Sequence, residues 1–212
     1  FSPHQDIISD RLKTLYELPS LKTGIVIVPS MTRLDKIVPK QFVMANSFIL
    51  KIGDYLDMTT AKSTWLSAGY TQVSQVMGHG EYAIRGSIID IFPMGQHSPI
   101  RIDLFDNEIE SIRFFDIDTQ KSIKRIDSLN CLPAKEYPLQ EEDISRFRKN
   151  WRKKFDGDPT LCPVYENISQ GASIGGIEYY LPLFFEETQS LFDYLPKHTT
   201  IVRSQDMDVN LD

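Results

Sequence analysis

The segment Ile100-Arg101-Ile102-Asp103-Leu104-Phe105 constrains the fold more than any other part of the chain, because it alternates strictly. Successive side chains of a β-strand point to opposite faces, so Ile100, Ile102 and Leu104 share a face that buries, and Arg101, Asp103 and Phe105 share the other. Asp106-Asn107 comes next, and then Glu108 to Phe115 resumes a strand pattern. Asp and Asn both tolerate the left-handed backbone region, so the pair predicts a two-residue hairpin. The earlier strand pattern, Glu81 to Arg85, puts Tyr82 and Ile84 inward and Arg85 outward with Glu81. An aromatic ring, Phe105, thus stands beside arginines on a face that should be wet. Two readings fit: an arginine snorkelling over a ring that caps the sheet edge, and a protein-interface hot spot, in which Arg and aromatic residues predominate.

Around this hairpin the chain divides into three segments, 1–46, 47–133 and 134–212. In the first, Ser2 as N-cap, Pro3 at the first helical position and Gln5 predict a helix start. Ile8, Leu12 and Leu15 then fall on one helical face, and Pro19 ends the helix. Gly24-Ile25-Val26-Ile27-Val28-Pro29 is an uninterrupted apolar run, which suits a parallel strand buried on both faces.

The second segment carries the denser strand pattern. Strands are expected at Phe48 to Ile52, Thr71 to Val76, Glu81 to Arg85, Ser87 to Phe92, Ile100 to Phe105 and Glu108 to Phe115, with one helix from Thr59 to Ala68 ended by Gly69. Hairpin-linked strands with a single helix imply an α+β module whose sheet is mainly antiparallel. Arg85-Gly86 is read as a bend or bulge that aims Arg85 outward. Lys and Arg are outnumbered by Asp and Glu here, so this is no basic groove.

The third segment opens with an amphipathic helix bearing Ile144, Phe147, Trp151 and Phe155 at helical spacing, and Glu141, Glu142 and Asp143 suit its N-terminal end. Its other face holds Arg146, Arg148, Lys149, Arg152, Lys153 and Lys154, by default a solvated face and in the minority reading a nucleic-acid contact. Thr199 to Arg203 reads as the start of another buried strand.

Arrangements that carry chemistry are missing from the sequence. None of the 11 glycines is followed by lysine, so there is no phosphate-binding P-loop. His4, His79, His97 and His198 lack metal-ligand spacing, and no serine sits in a nucleophile elbow. His97 could meet Asp90 near the Pro93–Gly95 turn, but a solvated loop histidine is the plainer reading. Neither a catalytic residue, a cofactor nor a metal is expected. Two cysteines, Cys131 and Cys162, are too few for a disulfide framework and read as buried thiols. A net charge of -6 argues against nonspecific DNA binding as the main role. No apolar run is long enough to span a bilayer.

The run Arg85-Gly86-Ser87-Ile88-Ile89-Asp90-Ile91-Phe92-Pro93, the run Pro99 to Phe105, and Glu108-Ile109-Glu110-Ser111-Ile112-Arg113 resemble the UvrB-homology region of the bacterial transcription-repair coupling factor family. Phe1-Ser2-Pro3-His4-Gln5-Asp6-Ile7-Ile8 and Gly176-Ile177-Glu178-Tyr179-Tyr180-Leu181-Pro182-Leu183-Phe184-Phe185 are similar to the same family, so the resemblance covers nearly the whole chain. Without an initiator Met, and with family members several times longer, the chain is expected to be a piece of the N-terminal part.

The resemblance implies a degenerate helicase-like α/β domain in two discontinuous parts, 1–46 and 134–212, with the α+β module 47–133 inserted. It implies a cytoplasmic bacterial protein whose module docks UvrA, bringing nucleotide excision repair to stalled RNA polymerase. The family's UvrA-contacting positions fall on Arg85, Arg101 and Phe105. This agrees with the outward placement read from the alternation and favours the interface reading. Arg113 is a weaker candidate, with an ion pair to Asp103 or Glu110 as its structural role. The alternative function is a DNA-contacting helicase accessory domain that uses Lys149, Arg152 and Lys153. RNA polymerase, double-stranded DNA and the ATP-driven motor belong to other domains of the full-length family protein. A C-terminal domain of that protein is expected to mask the UvrA site.

Overall fold

The structure is a computed structural model that describes residues 3–29, 32 and 35–202. The expected Ser2 cap lies outside the described residues. Helix α1 runs Gln5–Glu17, two residues later than the sequence suggested, and is preceded by His4 in an extended conformation without a side-chain cap. Ile8, Leu12 and Leu15 are buried as their spacing requires, and Pro19 falls within a 3₁₀ turn that ends the helix. A short helix α2, Lys40–Ala45, was not foreseen.

Strand β1, Phe48–Lys51, forms where a strand was expected but lies outside the main sheet. It pairs antiparallel with β8, Ser128–Cys131, with Phe48 opposite Cys131. The chain therefore enters and leaves the sheet-bearing segment side by side. Between these strands lie helix α3 (Met58–Ser67) and strands β2 (Thr71–Gln72), β3 (Glu81–Arg85), β4 (Ile88–Ile91), β5 (Ile100–Phe105), β6 (Glu108–Phe115) and β7 (Ser122–Ile126). Asp57 caps α3 by accepting from the Thr60 N–H, and Gly69 follows the helix at φ +88°, the left-handed position that glycine fills without strain.

The six strands β2 to β7 form one sheet in sequence order, antiparallel except for the parallel pair β2–β3. The architecture is thus mixed α/β with antiparallel and mixed sheets, in keeping with an α+β unit. Asp106 (φ 47°) and Asn107 (φ 69°) make the expected hairpin. Gly86 (φ +61°) is not a bulge; with Ser87 it forms the tight turn between β3 and β4. The irregularities in register lie instead at Asp103/Leu104 and Phe114/Phe115. Strand β2 is shorter than expected, although the Val73 N–H still donates to the Tyr82 carbonyl.

The inner face of the sheet is apolar. Tyr82, Ile89, Ile91, Ile100, Ile102, Ile109 and Ile112 are buried, and Trp65 of α3 lies against Tyr82 with ring centroids 4.9 Å apart. One core joins these residues to Leu12 and Leu15 of α1 and to Tyr194 of helix α6 (Leu191–Tyr194). Polar contacts hold α1 on the sheet unit: the Gly95 N–H donates to Ser9 Oγ at 2.8 Å, and Arg11 pairs with buried Glu136. His79 bonds Asp6 at 2.9 Å and the Gln96 carbonyl at 2.8 Å. A second core is built by helix α4 (Glu141–Lys154) and helix α5 (Pro163–Ser169), with Phe147, Trp151, Tyr165 and Phe184 at its centre. Phe155 follows α4 and packs on Trp151 with centroids 4.6 Å apart.

Two expected strands are absent. Gly24 to Val28 forms no strand, and Ile25 and Ile27 are each 91% exposed. A strand needs a neighbour to satisfy its N–H and C=O groups and to cover its side chains, and none of the described residues supplies one here. Residues 199–202 likewise form no strand, with Ile201 and Val202 exposed; Arg203 lies outside the described residues. No helix among the described residues is long and apolar enough to cross a membrane.

Candidate docking face of the six-stranded sheet

Register determines which side chains share the outer face of the sheet. Arg85 lies opposite Ile88, Ile88 opposite Asp103, and Asp103 opposite Ser111. The next row is Ala83, Asp90, Arg101, Arg113 and Arg125. Directly paired residues project on the same side, so Arg85, Asp90, Arg101, Asp103 and Arg113 all rise from one surface.

Asp90 is the centre of this arrangement and was missed in the sequence. It is 2% exposed. Arg101 binds it as a fork, Nε to Oδ1 at 2.7 Å and Nη2 to Oδ2 at 2.9 Å, while Arg85 donates to Oδ2 as well. Arg101 also donates to the Gln120 carbonyl at 3.3 Å and to Gln120 Oε1 at 3.1 Å, and its guanidinium lies over the Phe115 ring, 4.6 Å from the centroid. Gln120 is held in turn by a loop in which Asp116 accepts from the Thr119 N–H and hydroxyl, both at 2.7 Å. The hydrogen bonding that Arg101 donates to the Asp90 carboxylate raises the Arg101 pKa above its ordinary value, against the opposing effect of burial. A bidentate charged pair in a half-buried setting is among the stronger interactions a protein makes.

The arginines are therefore not equivalent. The Arg101 side chain is only 16% exposed, and its fork is already filled by Asp90, whereas Arg85 is 50% exposed. The sequence analysis placed Arg85 and Arg101 alike at a partner contact. Asp90 occupies that role inside the chain, because strand parity brings its carboxylate directly opposite Arg101. Arg113 pairs with Asp103, one of the two structural roles foreseen for it, and Ser111 donates to the same carboxylate. Phe105 ends the strand 69% exposed, as the alternation required. A cleft of about 480 Å³, whose lining includes Ser87, Ile88, Asp103, Ser111, Arg113 and Arg125, opens on the same face. Its polar lining differs from the mainly apolar enclosure of a small-molecule site.

Other residues singled out in the sequence lie away from this face. Lys149, Arg152 and Lys153 are exposed on α4, with Arg152 over the Tyr165 ring at 5.9 Å. Arg146 and Arg148 of that helix are engaged internally, with Asp143 and the Phe184 carbonyl and with Glu141 and the Ser169 carbonyl. Cys131 and Cys162 are free thiols; Cys131 is buried and Cys162 half-buried. His97 is exposed, and Asp90 is committed to the arginines instead. Among the described residues no three His, Cys, Asp or Glu side chains gather as a metal-binding group.

Fold and face together define an α+β unit whose organised feature is an open sheet surface, with arginines paired to carboxylates of neighbouring strands and one projecting ring. Comparison with known proteins narrows this. The sequence model of the UvrB interaction domain family matches residues 48–137. The chain is 43% identical over 211 residues to the transcription-repair-coupling factor of Escherichia coli (strain K12), and 46% identical over 212 residues to that of Haemophilus influenzae. Both alignments cover 99% of this chain, and a third, to the Bacillus subtilis factor, is 29% identical over 93%. The chain spans 18% of the length of these relatives. Residues 48–137 thus match the UvrB interaction domain family, in a chain similar to the transcription-repair-coupling factors along nearly its whole length.

Proposed function

We propose that the outer face of the sheet is a docking surface for UvrA, through which this region recruits nucleotide excision repair to stalled RNA polymerase. The observation that carries the reading is the combination of an exposed Phe105 with an Arg85 guanidinium that buried Asp90 holds in place. A ring and a cation fixed on a sheet are pre-ordered, so binding loses little side-chain entropy. In this reading Phe105 and Arg85 touch the partner, Arg101 braces Arg85 through the shared carboxylate, and Arg113 keeps Asp103 in place at the rim.

The segment 47–133 is then a module inserted in a degenerate helicase-like domain formed by 1–46 and 134–212. The antiparallel pairing of β1 with β8 supports an insertion, since the chain enters and leaves at one place. The exposed run Gly24 to Val28 fits a strand of that domain whose neighbours lie in the remainder of a longer protein. In that protein, RNA polymerase and double-stranded DNA engage other domains, ATP drives a motor elsewhere, and a C-terminal domain masks the UvrA face until polymerase is bound. The setting is the bacterial cytoplasm.

Co-elution with UvrA on size exclusion tests the proposal. The chain and its Lys149→Ala/Arg152→Ala/Lys153→Ala variant should both co-elute, and Phe105→Ala should not. Co-elution of Phe105→Ala to the same extent as the unaltered chain would refute the docking face.

A further inference from the structure

The hairpin end of the outer face carries a feature beyond these arginines. Phe105 lies opposite Glu108 in the ladder, and Tyr55 bridges Glu108 from the other side. Residues directly paired in a sheet project on the same side, so Tyr55, Glu108 and Phe105 form a row of three across the face. Tyr55 is 71% exposed, as open as Phe105, and Glu108 is exposed between them.

The charge arrangement within the row is incomplete. Arg85 and Arg101 are matched by Asp90, Arg113 by Asp103, and Arg125 by the Glu110 carbonyl. Among the described residues no hydrogen bond or ion pair engages the Glu108 carboxylate. Neighbouring strands lie about 4.8 Å apart, so Tyr55 and Phe105 stand about 10 Å apart with the carboxylate between them. A cation held over the Glu108 carboxylate would therefore meet an aromatic side chain on either side. A guanidinium fits best, because it stacks on aromatic rings and forks onto a carboxylate, whereas an ammonium does only the second part poorly.

The row is also rigid. The Leu56 N–H donates to the Asn107 carbonyl at 2.7 Å, the Ile109 N–H to the Asp54 carbonyl at 2.9 Å, and the Gly53 N–H to the Ile109 carbonyl at 2.8 Å. The two left-handed residues Asp106 and Asn107 close the turn beneath it.

We infer that Tyr55, Glu108 and Phe105 form a slot that receives an arginine side chain of the docking partner. This rests on the docking reading above and adds to it the chemistry of the partner: a cation must enter here, while the partner's carboxylates face Arg85. The row also explains why two exposed rings flank an acidic side chain at the margin of a face otherwise built from internal ion pairs.

Calorimetric titration with UvrA tests it, using the unaltered chain, Phe105→Ala, Glu108→Gln, Tyr55→Ala and the Glu108→Gln/Tyr55→Ala pair. Glu108→Gln keeps the shape and removes the charge, and should weaken binding by about fivefold to tenfold, with unchanged thermal unfolding. The double variant should lose less than the product of the single losses, because both groups act on one arginine. Affinities of Glu108→Gln and Tyr55→Ala equal to that of the unaltered chain, with Phe105→Ala still defective, would overturn the slot and leave the docking face standing. Failure of the unaltered chain to bind would overturn both.

Discussion

Asp90→Ala removes the carboxylate shared by Arg85 and Arg101. Asp90 is 2% exposed and the Arg101 side chain 16%, so the substitution strands a cation that water reaches poorly. Removing one partner of a buried pair costs about 3–5 kcal/mol, most of it from the charge left behind. Arg101 would keep Gln120 Oε1 at 3.1 Å, the Gln120 carbonyl at 3.3 Å and the Phe115 ring at 4.6 Å. These contacts offset part of the loss and place the expected effect at the low end, about 3 kcal/mol. Arg101→Met should destabilise by a similar mechanism, and Asp90→Leu/Arg101→Met should recover most of the stability, because neither charge is then left alone. The pair should show a coupling of about 2 kcal/mol in a double-mutant cycle. Urea unfolding followed by circular dichroism gives each value from the midpoint at a common slope. A loss below about 1 kcal/mol for Asp90→Ala, or strictly additive single losses, would refute the view that Asp90 is the buried anchor of this face.

Three further outcomes are expected. Tyr194→Phe removes a buried hydroxyl that donates to the Val38 carbonyl at 2.8 Å and should lower stability by about 1–2 kcal/mol in the same urea assay. Acid should unfold the chain through its capping carboxylates: hydrogen bonds from Thr60, Thr119, Thr160 and Ser190 lower the pKa values of Asp57, Asp116, Asp158 and Asp193. A depressed folded pKa stabilises above the unfolded value, near pH 4, and that contribution disappears as the pH falls through the lower folded value. Stability measured from pH 6 to pH 2 should therefore decline below about pH 4, and Asp57→Asn should flatten the decline. Alkylation should modify half-buried Cys162 in the native chain and Cys131 only after unfolding, because burial raises the Cys131 thiol pKa and excludes the reagent; mass spectrometry after a short pulse reads both sites.

Strands β3 to β6 were legible in the sequence because their alternation is a local property: each apolar residue on the inner face packs on a neighbour within the same meander. The left-handed pair Asp106-Asn107 and the apolar stripe of α4 were readable for the same reason. Strand β7, Ser-Ile-Lys-Arg-Ile, is an exposed edge with no apolar stripe, so nothing in its pattern marked it, and β8 is defined only by its distant partner β1. Gly24 to Val28 failed the opposite way: its composition is that of a buried strand, but a strand exists only where another backbone lies beside it. On the outer face of the sheet, the exposed placement of Phe105 and Arg85 followed from parity. Asp90 was hidden inside an apolar run, Ile88 to Phe92, although the same parity counted one strand further places it with Arg85 and Arg101. Tyr55 carried no signal at all, since its place beside Glu108 depends on a bridge between segments more than 50 residues apart in sequence.

The central claim is that this sheet face binds UvrA through groups fixed before contact. The most direct measurement is the dissociation constant for UvrA of the unaltered chain against Arg85→Ala and Phe105→Ala, with native circular dichroism verified for each. Saturable binding by the unaltered chain, weakened by about 2 kcal/mol or more in each variant, is the predicted result. Equal affinity in all three, or no binding by a folded unaltered chain, would contradict it.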